Sequence, residues 1–317
     1  MPSDRLPSIN SHRAPPSPKI RTTQARQRRA WLRCALLTLA CAPACASGVR
    51  VEYDISYDDR DDDTRLDVYL PAPASSPHAG VLLVHGGGWH QFDRTVLTAH
   101  AQRFAELGYV AINVEYRLVP EGVYPQAPQD VICALAFART HAAAWQLDPQ
   151  RIAAFGYSAG GHLVSLAGVA SEYPRHANDC PWGATAPPAA VISGAGPQDL
   201  RTMSDAAAVI NFVGGTLAEV PQNYSDASPI THVKPGAPPF LFVHSDGDLY
   251  VPYAQTTAMR AALNQAGNHT ELLRLPGGGH IANSPDTTRW DYVISATDLP
   301  EAWLAMDDFL ARHLAAP

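Results

Sequence analysis

Arg151-Ile-Ala-Ala-Phe155-Gly156-Tyr157-Ser158-Ala159-Gly160-Gly161 is the stretch that decides how this chain folds. A short, largely apolar run reaches a glycine, a serine follows, and residues 159–170 are small and apolar in the manner of a buried helix. Strand, tight turn and helix in that order lift a serine clear of a sheet and expose its hydroxyl. Such a turn drives Ser158 towards positive φ, which is tolerable where the neighbours carry almost no side chain, as Gly156 and Gly160 do. The start of the helix adds partial positive charge beside the serine. Gly-x-Ser-x-Gly alone arises by chance in roughly one chain in ten of this length, so the flanking strand and helix carry the reading.

Upstream, Gly80-Val-Leu-Leu-Val84 is a continuous apolar run, as expected of a strand buried on both faces of a parallel sheet. It ends in His85-Gly86-Gly87-Gly88-Trp89. Three glycines let the backbone approach a ligand closely. The backbone N–H groups of Gly87, Gly88 and Ala159 are therefore the expected oxyanion hole for the negative oxygen formed when Ser158 attacks a carbonyl. His85 is expected to orient the glycine turn. Trp89 and Tyr157 flank the hole, either lining a pocket or packing beneath it.

A nucleophilic serine needs a base, and the base an orienting acid. Downstream, Pro239-Phe-Leu-Phe-Val243 reads as a strand followed by His244-Ser-Asp246-Gly-Asp248, and Thr270-Glu-Leu-Leu-Arg-Leu275 as a strand followed by Pro276-Gly-Gly-Gly-His280. The catalytic set expected is Ser158, Asp248 and His280, in that chain order. Of the chain's 13 histidines, His85, His90, His162 and His244 are the rival bases. Asp246 is the rival acid.

With these motifs in place, the chain after residue 50 resembles an α/β-hydrolase esterase of the group carrying a His-Gly-Gly-Gly oxyanion motif. That group includes hormone-sensitive-lipase-like esterases, polysaccharide side-chain esterases and arylformamidases. Glu115-Tyr-Arg117-Leu and Tyr124-Pro125-Gln-Ala127-Pro-Gln-Asp130 resemble further family segments, which implies that Arg117 and Asp130 are buried structural charges. Asp248-Leu-Tyr-Val251-Pro252 resembles the family's segment around the acid and favours Asp248. Tyr157 departs from the Asp usual in the hormone-sensitive-lipase-like branch, and a mature chain expected to start almost directly at a strand would leave no room for that branch's N-terminal helical cap, which turns the likeness towards the other two branches. The resemblance implies a serine carboxylic ester hydrolase acting on small or sugar-linked soluble esters, with no metal or organic cofactor. An arylformamidase or small peptidase is the alternative within the same apparatus. A non-catalytic ligand-binding module is the alternative of another class, against which the intact Ser158, Asp248 and His280 speak.

Residues 1–46 read as a targeting segment. Eight Lys/Arg against one acid precede the apolar run Cys34-Ala-Leu-Leu-Thr-Leu-Ala-Cys41-Ala, and Ala44-Cys-Ala46 gives a small-x-small cleavage site. Arg28-Arg29-Ala-Trp-Leu-Arg33 resembles a bacterial twin-arginine signal, so export to the periplasm or beyond is expected. The whole chain carries 23 basic and 30 acidic residues, net −7; without the leader 15 face 29, net −14. A surface so acidic argues against nucleic acid and against attraction to anionic membranes. The oligomeric state is left open. The run Asp58-Asp-Arg-Asp-Asp-Asp63 reads as a solvated hairpin turn between strands at 50–57 and 64–70, with a calcium site as the alternative. Cys133 and Cys180 are the two cysteines left outside the leader. An oxidising compartment permits their pairing, but expected positions near a helix start and in a distant loop leave it open.

Residues 47–317 suit one α/β domain with a doubly wound, mostly parallel sheet. Helices are expected near 94–107, 129–142, 159–170, 254–266 and 299–314. Residues 196–233 read as irregular, with a helical turn near 206–213, and are expected to form a small lid insertion.

Overall fold

The computed structural model of the protein describes residues 48–176, 180–280 and 299–316. The targeting segment expected at 1–46, and its cleavage site, lie outside them. The strands are β1 (Arg50–Ser56), β2 (Arg65–Leu70), β3 (His78–Val84), β4 (Val110–Val114), β5 (Leu147–Tyr157), β6 (Ala190–Gly194), β7 (Phe240–Ser245) and β8 (Thr270–Leu275). They form one sheet in the order β1-β2-β4-β3-β5-β6-β7-β8. The β1–β2 and β2–β4 pairs are antiparallel and the remaining pairs parallel. This is the expected α/β-hydrolase architecture.

The apolar runs explain why the sheet is covered on both sides. Along β3, Leu82 and Val84 enter one core while Val81 and Leu83 enter the other, as the period of two requires. Helices α1 (Thr98–Glu106) and α7 (Pro300–His313) cover one face. In α7 the buried residues Ala302, Met306, Phe309 and Leu310 fall on one helical stripe. The other face carries α2 (Gln126–Thr140), α3 (Ala159–Ala170) and α6 (Ala254–Gln265). Among the described residues no helix is long and apolar enough to cross a membrane.

Helix α2 starts three residues earlier than expected. Pro128 falls in the first turn of the helix, where the N–H it lacks has no intrahelical partner. Cys133 consequently lies mid-helix and buried, not near the helix start, and forms a disulfide with Cys180 across a Cα–Cα distance of 5.4 Å. The expected acidic turn is solvated at Asp59, Arg60, Asp62 and Asp63, with Asp58 as its one buried acid. Asp58 is buried and paired with Arg60, while Asp59 accepts the Ser56 hydroxyl at 2.8 Å.

Residues 196–233, read as mostly irregular, hold two short helices, α4 (Ala207–Val213) and α5 (Pro221–Asp226), and 3-10 turns at Leu200–Met203 and Pro229–His232. Each is too short to show a helical period in sequence. They are anchored by fully buried Phe212 and Tyr224 and by an Arg175–Asp226 ion pair of 2.6 Å.

Candidate active site

The parallel strands β3, β5, β6, β7 and β8 end along one edge of the sheet, where open α/β sheets place their sites. Ser158 follows β5 directly, with φ 56° and ψ −120°, the positive φ that the sequence implies. Its N–H donates to the Gly194 carbonyl at 2.7 Å, and its own carbonyl accepts the His162 N–H at 3.0 Å, so the strained turn is held from both sides. At Gly160 an added Cβ would lie 2.0 Å from the Val84 carbonyl oxygen. The turn exists because the helix start can press against the end of β3. At Gly86 an added Cβ would sit 3.3 Å from Cβ of Ser158, which measures how closely the triple-glycine turn approaches the serine.

His280 bridges the other two residues of the expected set. Its Nε2 stands 2.8 Å from Ser158 Oγ and its Nδ1 2.7 Å from Asp248 Oδ2. Nδ1 faces a carboxylate and therefore carries the hydrogen, leaving Nε2 to accept from the serine hydroxyl. The other Asp248 oxygen accepts the N–H groups of Tyr250 and Val251, each at 2.9 Å. Burial would raise the Asp248 pKa, but hydrogen bonds from His244, His280 and the Val251 N–H hold the carboxyl well below the usual range.

The rivals have other work. Asp246 accepts Arg274 Nε at 2.8 Å and the Gly277 N–H at 2.6 Å, so it clasps the loop that carries His280. His85 donates from Nδ1 to the Gly86 carbonyl at 2.7 Å and stacks on Tyr116 at 4.4 Å, orienting the turn as expected. His90 folds back onto the Gly88 carbonyl at 2.8 Å. His162 is fully buried; its Nε2 donates to the Ala227 carbonyl at 2.7 Å and its Nδ1 accepts the Trp89 indole N–H at 3.3 Å. Desolvation lowers its pKa to about 4, so it stays neutral as that geometry requires.

The Arg117–Asp130 pair fits the structural role implied by the resemblance. Asp130 is buried and takes the Arg117 guanidinium at 2.6 Å and the Arg117 N–H at 2.9 Å. Two residues on, Val119 donates its N–H to the Trp89 carbonyl at 2.8 Å, tying this loop to the glycine turn.

Beside Ser158 opens a cavity of about 480 Å³. Gly87, Gly88 and Ala159 line it on one side, and Trp89, Phe92, Leu97, Met203, Val209 and Tyr250 form much of the apolar wall. Trp89 both lines the cavity and packs, stacking on Phe212 of α4 at 4.5 Å. The rings of Tyr157 and Tyr250 stand 5.2 and 5.7 Å from the His280 ring. Sequence reading missed the walls from Leu97, Met203 and Val209, which come from distant segments with no shared motif. It named His244 only as a rival base, although a histidine four residues before the acid at a strand end was a usable signal.

Away from this edge, His269, Glu271 and His313 have side chains close enough for a metal ion. Both Glu271 oxygens are already taken by Arg312, at 2.7 and 2.8 Å.

The chain is similar to known esterases in sequence and in fold. It is 33% identical over 225 residues to the Mycobacterium tuberculosis protein named esterase LipC, covering 68% of this chain and 56% of that one. It is also 33% identical over 273 residues to the probable carboxylic ester hydrolase LipM of the same organism, covering 83% and 61%. The chain thus spans less than two thirds of either relative. The solved structure of a truncated carbohydrate esterase from gut microbiota superposes with a TM-score of 0.73 at 23% identity, over 86% of this chain and 99% of that one, and shares the fold. Residues 66–263, well over half of the sequence, match the family described as BD-FAE, and the chain belongs to that family.

Proposed function

We propose that the protein is a serine ester hydrolase working through an acyl-enzyme, with Ser158, His280 and Asp248 as its catalytic residues. The observation that carries this reading is the unbroken hydrogen-bonded run from Ser158 through His280 to Asp248, at 2.8 and 2.7 Å, on a serine held at positive φ. His280 Nε2 takes the Ser158 proton as Oγ attacks the ester carbonyl. The carbonyl oxygen becomes negative within reach of the N–H groups of Gly87, Gly88 and Ala159, and losing one such donor costs roughly 10²–10³ in rate. His280, now an imidazolium stabilised by Asp248, gives its proton to the departing alcohol. Water repeats the sequence in reverse and frees the acid. Every proton step runs through side chains of this chain, so the reaction requires no metal or organic cofactor.

The apolar cavity suits the hydrocarbon or aromatic part of a small ester. Residues 196–233 supply its Met203 and Val209 walls and act as a small lid. A soluble, sugar-linked alcohol side agrees with the carbohydrate esterase among the structural neighbours and with the acidic surface. Export through the twin-arginine-like segment at 1–46 is part of the same reading, supported by the Cys133–Cys180 disulfide, which belongs to an oxidising compartment.

The test is hydrolysis of p-nitrophenyl acetate, butyrate and octanoate, acetylated xylan, methyl ferulate and N-formylkynurenine by the protein and by Ser158→Ala. Turnover of an ester that vanishes in the variant is expected. Turnover of N-formylkynurenine above every ester would make the enzyme a formamidase. A folded protein silent on all six would speak for a binding module.

A further inference from the structure

His244 stands at the end of β7, fully buried, four residues before Asp248. Its Nε2 lies 3.2 Å from Asp248 Oδ2 and 3.0 Å from the Val251 carbonyl oxygen. Both neighbours only accept, so Nε2 carries a hydrogen whatever the charge of the ring. Nδ1 lies 2.8 Å from Thr256 Oγ1 of α6, a hydroxyl able to complement it in either state. The titratable side chains beside this arrangement are Tyr253, 5.5 Å from the His244 ring, and Tyr157 and Tyr250 against His280. One carboxylate oxygen is therefore shared by two imidazoles, of which one reaches Ser158 and the other is locked between a helix hydroxyl and a loop carbonyl.

We propose that His244 is a positioning residue: a second imidazole donor that fixes the Asp248 carboxylate and sets how strongly it holds the proton of His280. The inference rests on the triad reading above. A donor on Oδ2 draws electron density from the bond to His280 Nδ1 and restrains rotation of the carboxylate plane. Without it, Asp248 is a more basic partner, the His280 imidazolium is stabilised, and the geometry at Ser158 loosens.

His244→Leu removes the donor. His244→Gln keeps an N–H near the position of Nε2, and His244→Asn keeps an amide too short to reach Asp248. The His280 imidazole titration is read by NMR in each, alongside the pH profile of p-nitrophenyl butyrate hydrolysis. Leu or Asn is expected to raise the His280 pKa by about 0.5–1 unit and to move the acid limb of kcat/KM with it. A fall in kcat of about tenfold should accompany this, with KM within about threefold, while Gln restores both titration and rate. If Leu does not fold, the Asn–Gln pair decides. An unshifted His280 titration in the folded Leu or Asn variant overturns the proposal, as does a Gln variant impaired as severely as Leu. Failure of the wild-type protein to turn over any ester would count against the triad reading, and the NMR titration would still decide the role of His244.

Discussion

Acidification should destabilise the fold before its carboxylates titrate, because two buried histidines are held neutral. His162 and His176 are both almost fully buried, and desolvation lowers each pKa from 6.5 to about 4. Their hydrogen bonds agree. His162 Nδ1 must accept the Trp89 N–H, and His176 donates to the Ala170 carbonyl at 3.1 Å while its Nε2 meets the Tyr124 hydroxyl at 2.8 Å. Between about pH 6.5 and pH 4 the unfolded chain binds these protons and the folded chain does not. Stability therefore falls as pH falls through that window, and the loss is complete once the folded pKa is passed. At about 1.4 kcal/mol per pH unit across that window, each histidine accounts for about 3 kcal/mol. Asp248 contributes separately and lower: its depressed pKa adds stability that is lost only below the ordinary carboxylate value of 3.8. The assay is urea unfolding at half-unit steps from pH 7 to pH 4, for wild type and His162→Gln, which retains a donor and an acceptor but cannot protonate. The wild-type slope should approach two protons near pH 5, and the variant should lose about one of them. Equal slopes in the two proteins would refute the reasoning for His162.

Other perturbations follow from single contacts. Asp248→Asn should lower kcat by about 10⁴ by upsetting the His280 tautomer, whereas Asp246→Asn, which loosens only the loop clasp, should keep activity within about tenfold; steady-state kinetics separates them. Breaking the Cys133–Cys180 bridge, which spans 47 residues, with Cys133→Ser and Cys180→Ser should cost about 4 kcal/mol in denaturant unfolding. Gly160→Ala puts a methyl 2.0 Å from the Val84 carbonyl oxygen, so the turn must shift, and kcat/KM should drop by at least about 100-fold. Arg117→Ala leaves Asp130 buried and unpaired and should cost about 3–5 kcal/mol, read by thermal and chemical unfolding.

What was legible in the sequence was whatever local backbone chemistry constrains. Ser158 must sit between bare neighbours, the glycine turn must follow a buried strand, and an acid and a histidine must follow later strands. Those demands leave marks within a few residues, and all of the expected residues lie together at one sheet edge. Relations fixed only by distant packing left no such mark. The Cys133–Cys180 pairing depended on where α2 begins, and no capping side chain marks that start. Asp246 and Asp248 differ by two positions in sequence, yet one faces Arg274 and the other two imidazoles. The helices of residues 196–233 are stabilised by Phe212 and Tyr224 in the core, not by any periodicity of their own.

The central claim is that Ser158 is the nucleophile activated by His280. The most direct test is incubation with a fluorophosphonate followed by mass spectrometry of the peptide digest. The expected result is one stoichiometric adduct on Ser158, lost in Ser158→Ala and formed at least about 100-fold more slowly in His280→Ala. Modification of another residue, or labelling of Ser158 at an unchanged rate without His280, would contradict it.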